Sequence, residues 1–140
     1  MKITFALDTN TISYLLWGEG GVGMRFRSEI MTKNNAYAIP HIVLYEVKRW
    51  LNDKPSKKVL GFTEVFDAFY EAVKKTAHMC PNTWLEAAEI YIKLKQRGLL
   101  IKDADILIAA YCIVNGYTLV TRNRRDFERI EGLSFVDWFA

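Results

Sequence analysis

The sequence predicts an α/β fold: a central, mainly parallel sheet of four or five strands with helices on both faces. Three observations predict it. Short apolar runs at residues 3–7, 36–39, 117–120 and 133–136 have strand length. Helical patterns separate them, including Val59, Phe62, Phe66, Phe69 and Val73 at steps of three and four. Residues 104–115 are apolar nearly all round, as in a helix covered by other elements. Strands that alternate with helices pair in parallel, because each helix carries the chain back across the sheet.

In chain order, residues 3–7 read as a buried strand. Asp8, Thr9 and Asn10 offer capping oxygens to a helix that runs from Thr11 to Trp17. Gly18, Gly20, Gly21 and Gly23 then demand a loop, but no phosphate-loop spacing accompanies them. A helix over 24–33 and a strand over 36–39 follow. Pro40 introduces a helix over 41–52 and Pro55 ends it. The stripe from Val59 to Val73 makes the next helix, and an extended piece over 76–80 leads to Asn82, the expected N-cap of a helix through Gln96. Gly98 stops that helix. Asp103 is the expected N-cap of the central helix, which Gly116 ends. A strand at 117–120, a short helix at 123–129 and a last strand at 133–136 complete the chain.

A length of 140 residues fits one domain, 1–140, and 51% apolar with 25% charged residues supplies a real core. The longest apolar run, 106–114, is too short to span a bilayer, and the first ten residues lack the pattern of a secretory signal. A cytoplasmic protein is the expectation. Cys80 and Cys112 form no C-x-x-C or zinc-type grouping, so both are expected to be buried free thiols. The net charge of +3 permits nucleic-acid binding without demanding it. Arg122, Arg124, Arg125 and Arg129 crowd one segment, either as phosphate contacts or as a solvated basic face.

Four acids stand where ordinary surface acids do not. Asp8 follows the first strand, and Asp126, with Asn123, follows the strand at 117–120. In a parallel sheet both positions open at the carboxyl edge, where ligands bind. Glu46 shares a helix face with Ile42, Val43 and Trp50, and Asp105 shares one with Ile108, Ala109 and Cys112. A lone carboxylate on a core-facing stripe is costly. Each acid has a plain alternative: Asp8 a helix cap, Asp105 a partner of the helix dipole, Asp126 a surface acid, and Glu46 an ion pair with Arg49 or a lysine. A divalent cation explains all four together, since Mg²⁺ and Mn²⁺ take oxygen ligands and neutralise converging carboxylates. Asp103 lies about 200° from Asp105 around a helix, so it is read as a cap with an outer-shell metal role left open.

Leu7-Asp8-Thr9-Asn10, Leu44-Tyr45-Glu46-Val47 and residues 103–110 (Asp-Ala-Asp-Ile-Leu-Ile-Ala-Ala) resemble the acidic motifs of PIN-domain nucleases. Residues 119–130, followed by Gly132-Leu133, resemble the closing motif of the VapC toxins. The motifs occur in order over essentially the whole chain. Asn123 stands where some relatives carry an acid. The resemblance implies a three-layer α/β/α PIN sandwich and Mg²⁺- or Mn²⁺-dependent hydrolysis of RNA. It also implies a homodimer and inhibition by a cognate VapB-type antitoxin.

On this reading Asp8, Asp105 and Asp126 are metal ligands, and Glu46 is a further ligand or the group that orients water. Thr9, Asn10, Thr121 and Asn123 are candidates to hydrogen-bond ligands or substrate. Lys48, Arg122 and Arg124 are candidate phosphate clamps. Three rival readings are weaker. A metal-free ribonuclease would need His41 and His78 to meet as base and acid. An aspartyl-phosphate enzyme usually wants a second Asp two positions after the first, where this chain has Asn10. A non-catalytic RNA- or antitoxin-binding protein has no need of four intact acids.

Overall fold

The computed structural model describes residues 3–18, 35–53, 57–73 and 79–138, of which 57–60 are described by backbone alone. The expected helix over 24–33, residues 76–78 with His78, the side chain of Val59, and Gly20, Gly21 and Gly23 lie outside the described residues.

Strand β1 (Thr4–Leu7) is central, and Phe5, Ala6 and Leu7 are all buried. Burial on both faces is why this strand reads as a continuous apolar run rather than an alternation. It pairs in parallel with β2 (Ala36–Ala38) on one side and β3 (Thr118–Val120) on the other. Strand β4 (Phe135–Val136) pairs in parallel with β3, so the order is β2-β1-β3-β4. Phe5 faces Tyr37 in the register, and Trp138 packs edge-on against both rings. The sheet has four strands among the described residues, and the last is shorter than its apolar run because its pairing with β3 covers two residues.

Six helices are described: α1 (Thr9–Trp17), α2 (His41–Asp53), α3 (Lys57–Val73), α4 (Pro81–Gln96), α5 (Asp103–Asn115) and α6 (Arg124–Phe127). Helix α5 buries Ile106, Ile108, Ala109, Ala110, Tyr111 and Cys112, as an all-round apolar helix must. Helix α4 packs along it, while α1 touches both α2 and α3. Phe66 of the α3 stripe is buried, and Phe62, Phe69 and Val73 are half-buried against the core. Gly116 ends α5 with φ of 69°, the left-handed conformation that favours glycine.

Two caps differ from expectation. Helix α4 starts at Pro81 with Cys80 as its N-cap, not at Asn82, because proline's fixed φ and missing N–H suit the first helical position. Helix α5 is capped by Lys102, which places Asp103 inside the first turn and not at the cap. Cys80 is therefore half-buried at a helix start, whereas Cys112 is buried as expected.

From β1 the chain moves to β2 on one side, and from β3 to β4 on the other. The strand order thus reverses between β1 and β3. In open α/β sheets the crevice at the carboxyl ends of two such strands is where ligands bind. Asp8 follows one of these strands and Thr121 follows the other.

Candidate active site

Asp8 is 5% exposed and caps α1. Its Oδ1 accepts the Thr11 amide at 2.8 Å, and the Thr11 hydroxyl donates to the Val120 carbonyl at 2.9 Å. The cap therefore ties α1 to the end of β3 as well as to β1. Burial raises the Asp8 carboxyl above its ordinary pKa; hydrogen bonds from Thr11 and Thr121 oppose this, and the charge of Glu46 adds to it. Helix α1 begins at Thr9, not Thr11, because the Asp8 side chain satisfies the Thr11 amide.

Glu46 lies on α2 between the buried Val43 and Val47. It accepts a 2.7 Å hydrogen bond from the Thr9 hydroxyl, so the α1 start and the middle of α2 meet through these side chains. Arg49 does not pair with it: the guanidinium donates to the Tyr45 hydroxyl at 3.2 Å and lies over that ring. The alternative in which Glu46 answers Arg49 is thereby removed.

Asp105 carries the clearest electrostatic signature. Its carboxyl is pushed up to about 6, first by burial and then by the negative charges of Asp8, Asp126 and Glu46, with Lys102 opposing. The helix dipole favours an anion in this first turn by about 0.3–1 kcal/mol. The net shift is nevertheless upward, so burial and repulsion win. Cys112 is buried, and burial with the nearby Asp8 charge pushes its thiol up. A thiol held protonated makes a poor metal ligand.

Asp126 is held at both oxygens. Asn123 donates from Nδ2 to Oδ2 at 3.1 Å, and Arg129 Nη1 stands 3.8 Å from Oδ1. The Asn123 amide in turn donates to the Thr121 hydroxyl oxygen at 3.0 Å. Thr121, 1% exposed, thus touches both the Asp8 side and the Asp126 side of the cluster.

The structure brings together Asp8, Thr9, Glu46, Asp105, Thr121, Asn123 and Asp126. It does not bring Asp103 among them. That side chain is exposed and borders a cleft lined by Trp84, Tyr91 and Leu107, on the α4 side of α5. Lys48 is committed elsewhere: it pairs with Asp67 of α3 and lies over the Phe66 ring at 5.7 Å. Asn10 is exposed on α1. Arg122 lies over the Tyr14 ring at 5.3 Å, and Arg124 forms an exposed pair with Glu128 at 3.8 Å.

Two contributors were not singled out from the sequence. Thr11 braces Asp8, and its signal was a hydroxyl residue three positions after an acidic cap. Arg129 reaches Asp126, but within a run of four arginines it had no distinguishing mark.

The donor set suits a hard divalent cation: four carboxylates backed by hydroxyl and amide oxygens, with neither thiolate nor imidazole required. Among the described residues no three His, Cys, Asp or Glu side chains already stand as a closed metal-binding cluster. The carboxylates are close enough to repel one another.

The PIN domain family model matches residues 5–133. Ribonuclease VapC2 of Rickettsia felis is 31% identical over 134 residues, covering 96% of this chain and 97% of the relative. Ribonuclease VapC1 of the same organism is 41% identical over 142 aligned positions, covering 96% and 90%. The crystal structure of VapBC2 from Rickettsia felis bound to a DNA fragment from its promoter contains a chain that superposes with a TM-score of 0.78. That chain is 28% identical, with 97% of this chain and 99% of the other covered.

Proposed function

We propose, from the premise that this chain belongs to the PIN domain family and to the VapC ribonucleases within it, that Asp8, Glu46, Asp105 and Asp126 hold Mg²⁺ or Mn²⁺ for RNA cleavage. The chain is an endoribonuclease that hydrolyses phosphodiester bonds, the toxin half of a type II toxin–antitoxin pair. The observation that supports the metal most directly is the Asp105 carboxyl, raised first by burial and then by the charges of three other acids that are distant in sequence.

When bound, the cation acidifies water and stabilises charge on the phosphate oxygens. The chain's own groups do the positioning. Hydrogen bonds from Thr11 and Thr121 favour the ionised form of Asp8 and oppose part of the effect of burial, which still raises its carboxyl. Thr9 fixes one oxygen of Glu46, leaving the other to orient water or to accept its proton. Asn123 fixes one oxygen of Asp126. Arg122 and Arg124, both exposed, are the contacts to substrate phosphates; Lys48, paired with Asp67, is not.

The partners are RNA, a cognate VapB-type antitoxin and a second copy of the chain. Trp84, Leu85 and Ile92 on α4 are exposed at 56%, 66% and 49%, an apolar surface of the kind a partner covers. Among the described residues no helix is long and apolar enough to cross a membrane. Since RNA is the substrate, the cytoplasm is the proposed location.

The test is cleavage of total RNA by the purified chain. EDTA is expected to reduce cleavage to background and added Mn²⁺ to restore it, and undiminished cleavage in EDTA would overturn the metal requirement. Asp103→Asn separates the two candidate acids of α5. It is expected to retain at least about a fifth of wild-type turnover, since an exposed acid outside the cluster stabilises the transition state by less than about 1 kcal/mol. Complete loss would mean that Asp103, not Asp105, serves the cation.

A further inference from the structure

We propose that Arg129 is a positioning residue for Asp126, acting from behind the acidic cluster; this rests on the metal-dependent reading above. The arginine lies two residues beyond the end of α6. Its Nη1 stands 3.8 Å from Asp126 Oδ1 and donates to the Leu99 carbonyl at 3.5 Å, in the turn between α4 and α5. Its backbone is pinned as well: its carbonyl accepts from Arg97 at 3.2 Å, and its amide donates to the Asp126 carbonyl at 3.2 Å. The segment after α6 is thus stitched to the turn that leads into α5, the helix that carries Asp105.

The shielding of this pair separates it from the other arginine pair in the segment. The Arg129 and Asp126 side chains are 23% and 29% exposed, whereas Arg124 and Glu128 are each 58% exposed. The Arg129 side chain also lines a cavity of about 210 Å³ with Ile90, Leu94 and Ile130. The first two belong to α4. With Asn123 donating to Oδ2 and the Arg129 guanidinium facing Oδ1, both oxygens of Asp126 have a protein partner that favours one orientation of the carboxylate. Groups that orient metal-binding carboxylates from outside typically change metal affinity or activity by about 10–100-fold when removed.

The experiment is Mn²⁺ binding to the full chain at neutral pH without RNA, followed by electron paramagnetic resonance of the free ion, with cleavage kinetics alongside. Arg129→Gln is expected to weaken Mn²⁺ binding about 10-fold and to lower kcat while KM for RNA stays near its wild-type value. Lys93→Gln, which removes a cation from the wall of the same cavity without touching Asp126, is expected to leave both unchanged. Arg129→Lys keeps the charge but loses the planar donor fork, and is expected to weaken binding at least about 3-fold; it decides the matter if the glutamine variant does not fold. Wild-type affinity in a folded Arg129 variant would overturn the inference alone. Tighter binding would overturn it too, by showing that the guanidinium competes with the cation. Absence of Mn²⁺ binding by the wild-type chain would overturn the metal reading and this inference with it.

Discussion

Asp105→Asn is expected to reduce RNA cleavage by at least about 1000-fold, close to 4 kcal/mol of lost transition-state stabilisation, while raising the melting temperature of the metal-free protein by a few degrees. The two effects share one cause. The Asp105 carboxyl is pushed up to about 6 by burial and by Asp8, Asp126 and Glu46, so its negative charge costs the folded chain stability at neutral pH. An acid raised in this way is neutral in both folded and unfolded chains below its ordinary value of 3.8. The penalty accumulates between 3.8 and about 6, where the unfolded chain has lost the proton and the folded chain still holds it; above that window it is constant. The amide fills nearly the same space without the charge, so it relieves the penalty, but it cannot neutralise a divalent ion. The lost helix-dipole attraction, about 0.3–1 kcal/mol, opposes the gain without reversing it, as the net upward shift implies. Thermal denaturation and cleavage of one preparation check both halves. An active variant would remove Asp105 from the site, and an inactive variant with a lowered melting temperature would mean that the residue serves the fold.

Divalent cation is expected to raise the melting temperature strongly at pH 7.5 and weakly at pH 5. A ligand present at about 100 times its Kd stabilises by about 2.7 kcal/mol, several degrees for a chain of this size. At pH 5 Asp105 lies about one pH unit below its raised pKa. Binding must then displace a proton, which weakens it about tenfold and removes roughly half of that stabilisation. Asp8, also raised, increases the difference in the same direction. Differential scanning fluorimetry with and without Mg²⁺ or Mn²⁺ at about 100 times Kd, at both pH values, reads the effect. Shifts of equal size at the two pH values would mean that the ion binds away from the raised carboxylates.

Much of the architecture was legible because a parallel sheet covered on both faces leaves its strands as plain apolar runs. Residues 3–7, 36–39, 117–120 and 133–136 contain all four strands found, each within one or two residues of its bounds. Helix starts were harder. Asn82 has a capping side chain, yet Pro81 starts the helix one residue earlier, and the polar preference of Asp103 for a cap yielded to Lys102. Both cases turn on backbone geometry that side-chain preference does not reveal. Of the basic residues, Lys48 and Arg122 looked equivalent in the sequence. Only the packing of α2 on α3 gives Lys48 the partner Asp67, and only the position of α1 lays Tyr14 beneath Arg122.

By itself the sequence determined which acids are out of place, because a carboxylate at a strand end or on an apolar helical stripe violates a pattern spanning only a few neighbouring residues. What only the tertiary structure decided is which of them meet. Asp8 lies beside Glu46 through Thr9, and Asp105 lies within reach of the charges of Asp8, Glu46 and Asp126. Those meetings depend on the strand order β2-β1-β3-β4, which sets the ends of β1 and β3 side by side and closes loops of many residues at once. No local pattern encodes such distances. They are set when the buried strands and helices find the one packing that covers all their apolar faces together.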